Sequence, residues 1–198
     1  MKNLYLPIAL LLCFYGHSQC WDKVFAGDGT SFAIQTDGTL WAWGVNDFGE
    51  IGNGTTDDQL LPIKITNDTD WASVYEGFAH TITIKDNGTM WVWGLNQWGQ
   101  LGIGSTEDIH IPIQLGTDSD WRVAATGAGF TMAIKNDNTL WGWGENGGNI
   151  GDGTETDRHS PIQIGNNTNW ETVACGQAHT VAIKQDGTLW AWGRNTQG

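Results

Sequence analysis

His80 and His179 are the first residues to test for chemistry, because they occupy the same place in two 24-residue segments. These are "WASVYEGFAHTITIKDNGTMWVWG" from Trp71 and "WETVACGQAHTVAIKQDGTLWAWG" from Trp170. An imidazole can hold a metal, carry a proton or bond structurally within a strand. Two further segments align without a gap and put Thr30 and Phe130 in that place. A position that accepts phenylalanine within one chain is not a required ligand, so structural bonding is expected. His110 and His159 fall in variable connections with no cysteine or third histidine at a matching spacing, and no zinc site is expected.

Carboxylates form the second group. "TNDTD" at 66–70 and "TDSD" at 117–120 precede tryptophans, and a calcium loop would need alternating acids, a central glycine and a distal glutamate. The third copy, "NNTN" at 166–169, has no acid, so side-chain-capped turns are expected instead. Glycine-rich runs such as "GQLGIGS" lack the basic residue that a phosphate cradle requires. Nucleophile-elbow, phosphate-loop and zinc-helix motifs do not occur. The expectation is a non-enzyme with no cofactor and no metal.

The elements that must position these residues recur. "DGTLWAWG" stands at 37–44 and again at 186–193, with "NGTMWVWG" at 87–94 and "DNTLWGWG" at 137–144, giving spacings of 50, 50 and 49 residues. Units run 21–70, 71–120, 121–169 and, partial, 170–198. Alternating pairs such as Phe32/Ile34, Ile82/Ile84, Met132/Ile134 and Val181/Ile183 predict half-buried strands. The Asp-Gly, Asn-Gly and Asp-Asn pairs that follow predict type I′ hairpins, with Asn138 as the residue that best replaces glycine at positive φ.

The next strand carries Trp41 and Trp43, Trp91 and Trp93, Trp141 and Trp143, or Trp190 and Trp192, each pair on one face and predicted to be core. After it comes "VNDFGEIGNGTTDDQLLPIKI" or a counterpart, in which Pro62, Pro112 and Pro161 are expected to open an edge strand. Four short strands per unit are the content of one propeller blade. Three aromatics break the repeat: Phe48 and Trp98 stand where the third unit has glycine, and Phe78 aligns with Asp28, Ala128 and Gln177. They are the candidate loop anchors for a partner.

The ends and the charge narrow the setting. "MKNLYLPIALLLCFYGHS" has Lys2, an apolar run and Gly16-x-Ser18, the order of a secretory signal over residues 1–18 with cleavage near Ser18 or Gln19. The run is too short for a membrane span, and the expected location is secreted, cell-surface or periplasmic. Cys20 is a candidate for lipidation or for a disulfide with Cys175, and sequence leaves both open. A net charge of −13 with only nine basic residues opposes nucleic-acid binding.

Three linked pieces, "GQAHTVAIKQDGTLWAWG" at 176–193, "WGLNQWGQLGIGS" at 93–105 and the downstream proline with alternating apolar residues, resemble the regulator of chromosome condensation repeat family. Together these pieces recur from Trp21 to Gly198. The resemblance implies an all-β fold, a β-propeller of four-stranded blades. About three and a half blades of a seven-bladed ring are present, which reads as the amino-terminal part of a longer protein. It also implies that Trp21–Thr39 shares a blade with strands from the other chain end.

For function, the resemblance implies a secreted, non-catalytic scaffold that binds a protein or glycan, as bacterial propellers of this kind inhibit β-lactamases through aromatic loop residues. Guanine-nucleotide exchange on a small GTPase is one alternative. A propeller supporting a longer adhesin or enzyme past residue 198 is another.

Overall fold

The computed structural model describes residues 20–196, so the secretory-signal reading of residues 1–18 lies outside the described residues. The first blade consists of β1 (Trp21–Ala26), β2 (Thr30–Gln35), β3 (Leu40–Gly44) and β4 (Gln59–Lys64). The second is β5 (Trp71–Glu76), β6 (His80–Lys85), β7 (Met90–Gly94) and β8 (Ile109–Gln114). The third is β9 (Trp121–Thr126), β10 (Phe130–Lys135), β11 (Leu140–Gly144) and β12 (Arg158–Gln163). β13 (Trp170–Cys175), β14 (His179–Lys184) and β15 (Leu189–Gly193) make the fourth. Every sheet is antiparallel with strands in chain order, four in each of the first three and three in the last. The expectation that Trp21–Thr39 awaits strands from the other chain end is therefore corrected: β1 and β2 pair with β3 and β4 of their own unit.

The hairpin between second and third strands also differs from expectation. Gly38 N–H donates to Gln35 C=O at 2.8 Å, and Gly38 alone takes positive φ, +80°, while Asp37 does not. This is a type I turn closed by a glycine bulge rather than a type I′ turn. Aspartate at its position is useful in another way, because its carboxylate accepts Thr39 N–H at 3.0 Å and Thr39 Oγ1–H at 2.6 Å. Thr39 Oγ1 in turn accepts Trp41 Nε1–H at 3.0 Å. Asn138, φ +60°, holds the glycine position in the third unit.

The prolines lie inside the outer strands, not at their starts. Pairing jumps from Gly44↔Gln59 to Ala42↔Ile63, so Pro62 sits in an irregular stretch of an edge strand, where a missing N–H disturbs no ladder. His110 and His159, expected in connections, belong to β8 and β12. Their imidazoles pack over Gly49 and Gly99 of the preceding unit, where a Cβ would lie 2.4 Å and 2.5 Å from the ring.

Hydrophobic burial is concentrated between blades. The tryptophan face of each blade after the first, with Trp71 and Trp93 as the second blade's example, packs on the apolar face of the blade before it, here Phe32, Ile34, Leu40 and Ile51. The next joint repeats this with Trp121 and Trp143 on Ile82, Ile84, Met90 and Leu101. In the third, Trp170 and Trp192 meet Phe130, Met132, Ile134 and Ile150. Contacts between blades run through first and second strands, which converge on a common axis as in a radial array.

Candidate functional site

Connections after the first and third strands of each blade lie at one end of the molecule, joined by bonds such as Val45 N–H to Gly29 C=O at 3.0 Å and Leu95 N–H to Ala79 C=O at 2.8 Å. The third-strand connections are held by an asparagine. Asn46 Nδ2 donates to Thr55 C=O and Asp57 C=O at 2.9 Å and 3.1 Å, its Oδ1 accepts Ile51 N–H at 2.9 Å, and its own N–H donates to Asp58 at 3.0 Å. Asn96 and Asn146 hold their loops in closely similar ways. A loop so fixed is a rigid platform, which lowers the entropy cost of binding.

Each platform also reaches across to the next blade. Glu50 C=O accepts Thr81 Oγ1–H at 2.9 Å and Trp93 Nε1–H at 2.7 Å, while Gly54 N–H donates to His110 C=O at 2.8 Å. Gln100 C=O receives Thr131 and Trp143, and Asn149 C=O receives Thr180 and Trp192. The glycine-rich runs thus clasp neighbouring blades besides turning the chain. Gly52 and Gly102 lie against the indole nitrogens of Trp93 and Trp143, with no room for a side chain.

At this end the first-strand loops of all four blades surround the axis. They line a cavity of about 500 Å³ that includes Asp28, Phe78, Ala128 and Gln177, the four aligned positions, together with Glu76, Thr126 and Cys175. Phe78 is 55% exposed there. Phe48 is also exposed, but it lies on the third-strand loop with its N–H on Glu50 Oε2 at 2.8 Å, outside the cavity lining. Trp98 is partly buried, its ring beside Gly129 and Glu145 of the third blade. The three candidate anchors share one end of the molecule, with Phe78 alone at the axis.

Sequence reasoning passed over Glu76. Its carboxyl lies against Gly27, and burial raises its pKa to about 8, with Thr30 opposing and the charges of Glu50 and Asp28 adding. Nothing in the repeat marks it except that the aligned residues are Ala26, Thr126 and Cys175. Burial likewise raises the Cys175 thiol to about 12, so it is a poor nucleophile. No disulfide joins Cys20 and Cys175.

His80 is fully buried and forms part of a joint. Its Nε2 lies 3.2 Å from Thr131 Oγ1, whose single proton is given to Gln100 C=O at 2.9 Å, so Nε2 must be the protonated ring nitrogen. Burial pushes its pKa down to about 3 and keeps it neutral. His179 is exposed on the fourth blade. Among the described residues no three His, Cys, Asp or Glu side chains gather to hold a metal ion.

The acids before the unit-opening tryptophans have a partner that the sequence reading missed. Lys85 Nζ meets Asp68 at 2.6 Å and Asp70 at 2.9 Å while lying 4.5 Å and 4.6 Å from the Trp71 and Trp91 ring centres. Lys135 does the same with Asp118, Asp120, Trp121 and Trp141. Burial works to lower both lysine pKa values, and the carboxylate bonds override it and raise them. The turn expectation holds in part, since Thr66 Oγ1 accepts Asp68 N–H at 3.3 Å.

Comparison with known proteins fits this architecture. Human WBSCR16 matches at TM-score 0.79 and 20% identity over 87% of this chain and 47% of its own. Yeast RCC1 (Prp20), in a complex with Kap60, matches at 0.78 and 20% over 90% of this chain and 45% of its own. Saccharomyces cerevisiae Prp20p, solved in a study of its binding to Gsp1p and histones, matches at 0.76 and 21% over 91% and 47%. The chain spans about half the length of these structures. One profile of the regulator of chromosome condensation (RCC1) repeat matches residues 37–84, 87–134 and 137–183, and a second matches 21–50 and 170–198. Each of the three central matches runs from the turn before the third strand of one blade to the second strand of the next, spanning the joint where the core lies. With profile matches along its length and a radial stack of antiparallel blades, the chain belongs to the regulator of chromosome condensation (RCC1) repeat family.

Proposed function

We propose that this chain is part of an exported, non-catalytic propeller that binds a protein or glycan partner through the loop end carrying Phe48, Phe78 and Trp98. The observation that carries this reading is the rigid loop platform: asparagine-locked loops clasped to their neighbours hold the exposed Phe48 and the partly buried Trp98 at the same end as the exposed Phe78 of a first-strand loop. Rigid aromatic anchors provide large contact area at low entropy cost. The apolar leader with Lys2 and Gly16-x-Ser18 supports export. Protein binding has precedent in the relatives, since yeast Prp20 is bound to Kap60 in one structure.

The test is affinity capture from the native secretome, followed by titration of the captured partner against Phe48→Ala, Phe78→Ala and Trp98→Ala. A loss of about 1–3 kcal/mol in at least one variant is expected. Unchanged affinity in all three would move the site elsewhere.

Likeness to Prp20p, described with Gsp1p, favours a second reading as an exchange factor for a small GTPase. Acceleration of nucleotide release from such a GTPase by the purified chain would support it over the first.

A further inference from the structure

The three buried lysines that end the second strands of the second, third and fourth blades are equivalent, yet one has lost its counter-ions. Lys184 is only 8% exposed and lies 4.8 Å from the Trp170 ring centre and 4.1 Å from that of Trp190. Around Lys85 and Lys135 two aspartates complete the arrangement at 2.5–3.1 Å. At the same places the fourth unit has Asn167 and Asn169, and no ion pair to Lys184 forms among the described residues. Asp186 has its pKa lowered mainly by Thr188, whose Oγ1–H and N–H engage its Oδ1 at 2.7 Å and 3.0 Å, with the charge of Lys184 a smaller contribution. Asp137 stands in the same relation to Lys135, which still takes two further carboxylates.

We infer that Lys184, with Asn167, Asn169 and the half-exposed Trp190, forms a binding site for a carboxylate. The repeat itself supplies the template, because two copies of the same backbone and the same pair of tryptophans already hold aspartate carboxylates on the equivalent ammonium. An ammonium that faces two tryptophan rings, with the nearby Asp186 Oδ1 already taken by Thr188, has N–H donors to give, and an incoming carboxylate takes them in charge-assisted hydrogen bonds. Asparagine side chains complement this role: they add no negative charge, and their amide N–H groups donate to an anion where aspartate would repel it. The site sits at the end opposite the aromatic loops, so it is independent of the partner site proposed above.

Indole N–H resonances of the labelled protein, followed by NMR during titration with sodium acetate against sodium chloride at equal ionic strength, test this directly. Saturable shifts are expected at Trp170 and Trp190 and not at Trp71, Trp91, Trp121 and Trp141, which report the filled sites in the same sample. A blocked aspartyl tripeptide forms a second arm. Equal response to both ligands means that a free acid suffices, and tighter binding of the peptide means that a protein side chain is the natural source. Asn167→Asp with Asn169→Asp installs the pair that the other units carry; it should abolish the shift and raise the melting temperature. Lys184→Gln, the residue type of Gln35 in the first unit, should also abolish the shift. No saturable response to either ligand, equal responses at all three sites, or a response that survives Lys184→Gln overturns the inference.

Discussion

The joint between the second and third blades and the outward faces of the first and fourth blades are built from the same residue types and differ in whether the described residues supply a neighbour. Trp143 and Leu101 are fully buried in the joint, and Leu140 is fully buried on the aliphatic face of the third blade. On the outward side of the first blade Trp21 is 40% exposed and Leu60 93%, and on that of the fourth Leu189 is 70% exposed. Burial in this molecule is thus a property of a pair of blades. A repeat stabilises its neighbours more than itself, as in other quasi-one-dimensional arrays.

The sharpest way to break that contrast is to delete the same ring on both sides. Trp93→Ala removes a fully buried ring and a bond to Glu50 C=O, and should cost about 3–5 kcal/mol in urea denaturation. Trp43→Ala, at the equivalent place with no blade before it among the described residues, should cost clearly less. Equal losses would mean that the blades are stable units in themselves.

Protonation separates the first two joints. His80, with pKa about 3 when folded and 6.5 otherwise, is bare in the fold while the unfolded chain binds a proton. Stability should therefore fall as pH drops below 6.5, by about 2 kcal/mol at pH 5. His80→Phe, the residue type of the third unit, should flatten that slope. Glu76 acts in the opposite sense: its folded pKa of about 8 lies above 4.5, so its contribution is present below pH 4.5 and lost as pH rises through 8. Glu76→Gln should remove this loss between pH 4.5 and 8 in thermal melts across pH.

A single hydroxyl gives a smaller contrast. Thr131→Val leaves His80 Nε2–H unpaired and removes one donor from Gln100 C=O, for an expected cost of about 1–3 kcal/mol. Ser31→Ala, aligned with it on the outward face, should stay within about 0.5 kcal/mol. Least affected of all should be Leu60→Lys, nearly neutral for folding but lowering self-association in sedimentation experiments, since exposed apolar faces invite contact.

Much of the fold is legible in the sequence. The alternation of Phe32 and Ile34, the turn pairs and the paired tryptophans each act over a few residues, so local chemistry specifies them. Asn138 at φ +60° was legible for the same reason. The pairing of Lys85 with Asp68 and Asp70 was not, because the partners are separated by a whole strand and are joined only when β5 and β6 align. The roles of His110 and His159 were missed similarly, since the glycines they cover belong to a different blade. Of the candidate anchors, position in a loop could be read from the broken repeat. That Phe78 alone faces the axis while Trp98 rests on Gly129 could not.

Strand content, repeat length and turn positions follow from short-range residue patterns, which the chain carries whatever surrounds it. Tertiary packing assigned the hydrogen-bond partners of Trp93, Trp143 and Trp192, the neutrality of His80 and the raised pKa of Glu76. These depend on a carbonyl, a hydroxyl or a loss of water supplied by an adjacent blade, and a neighbour some fifty residues away exerts no field or contact until the blades stack.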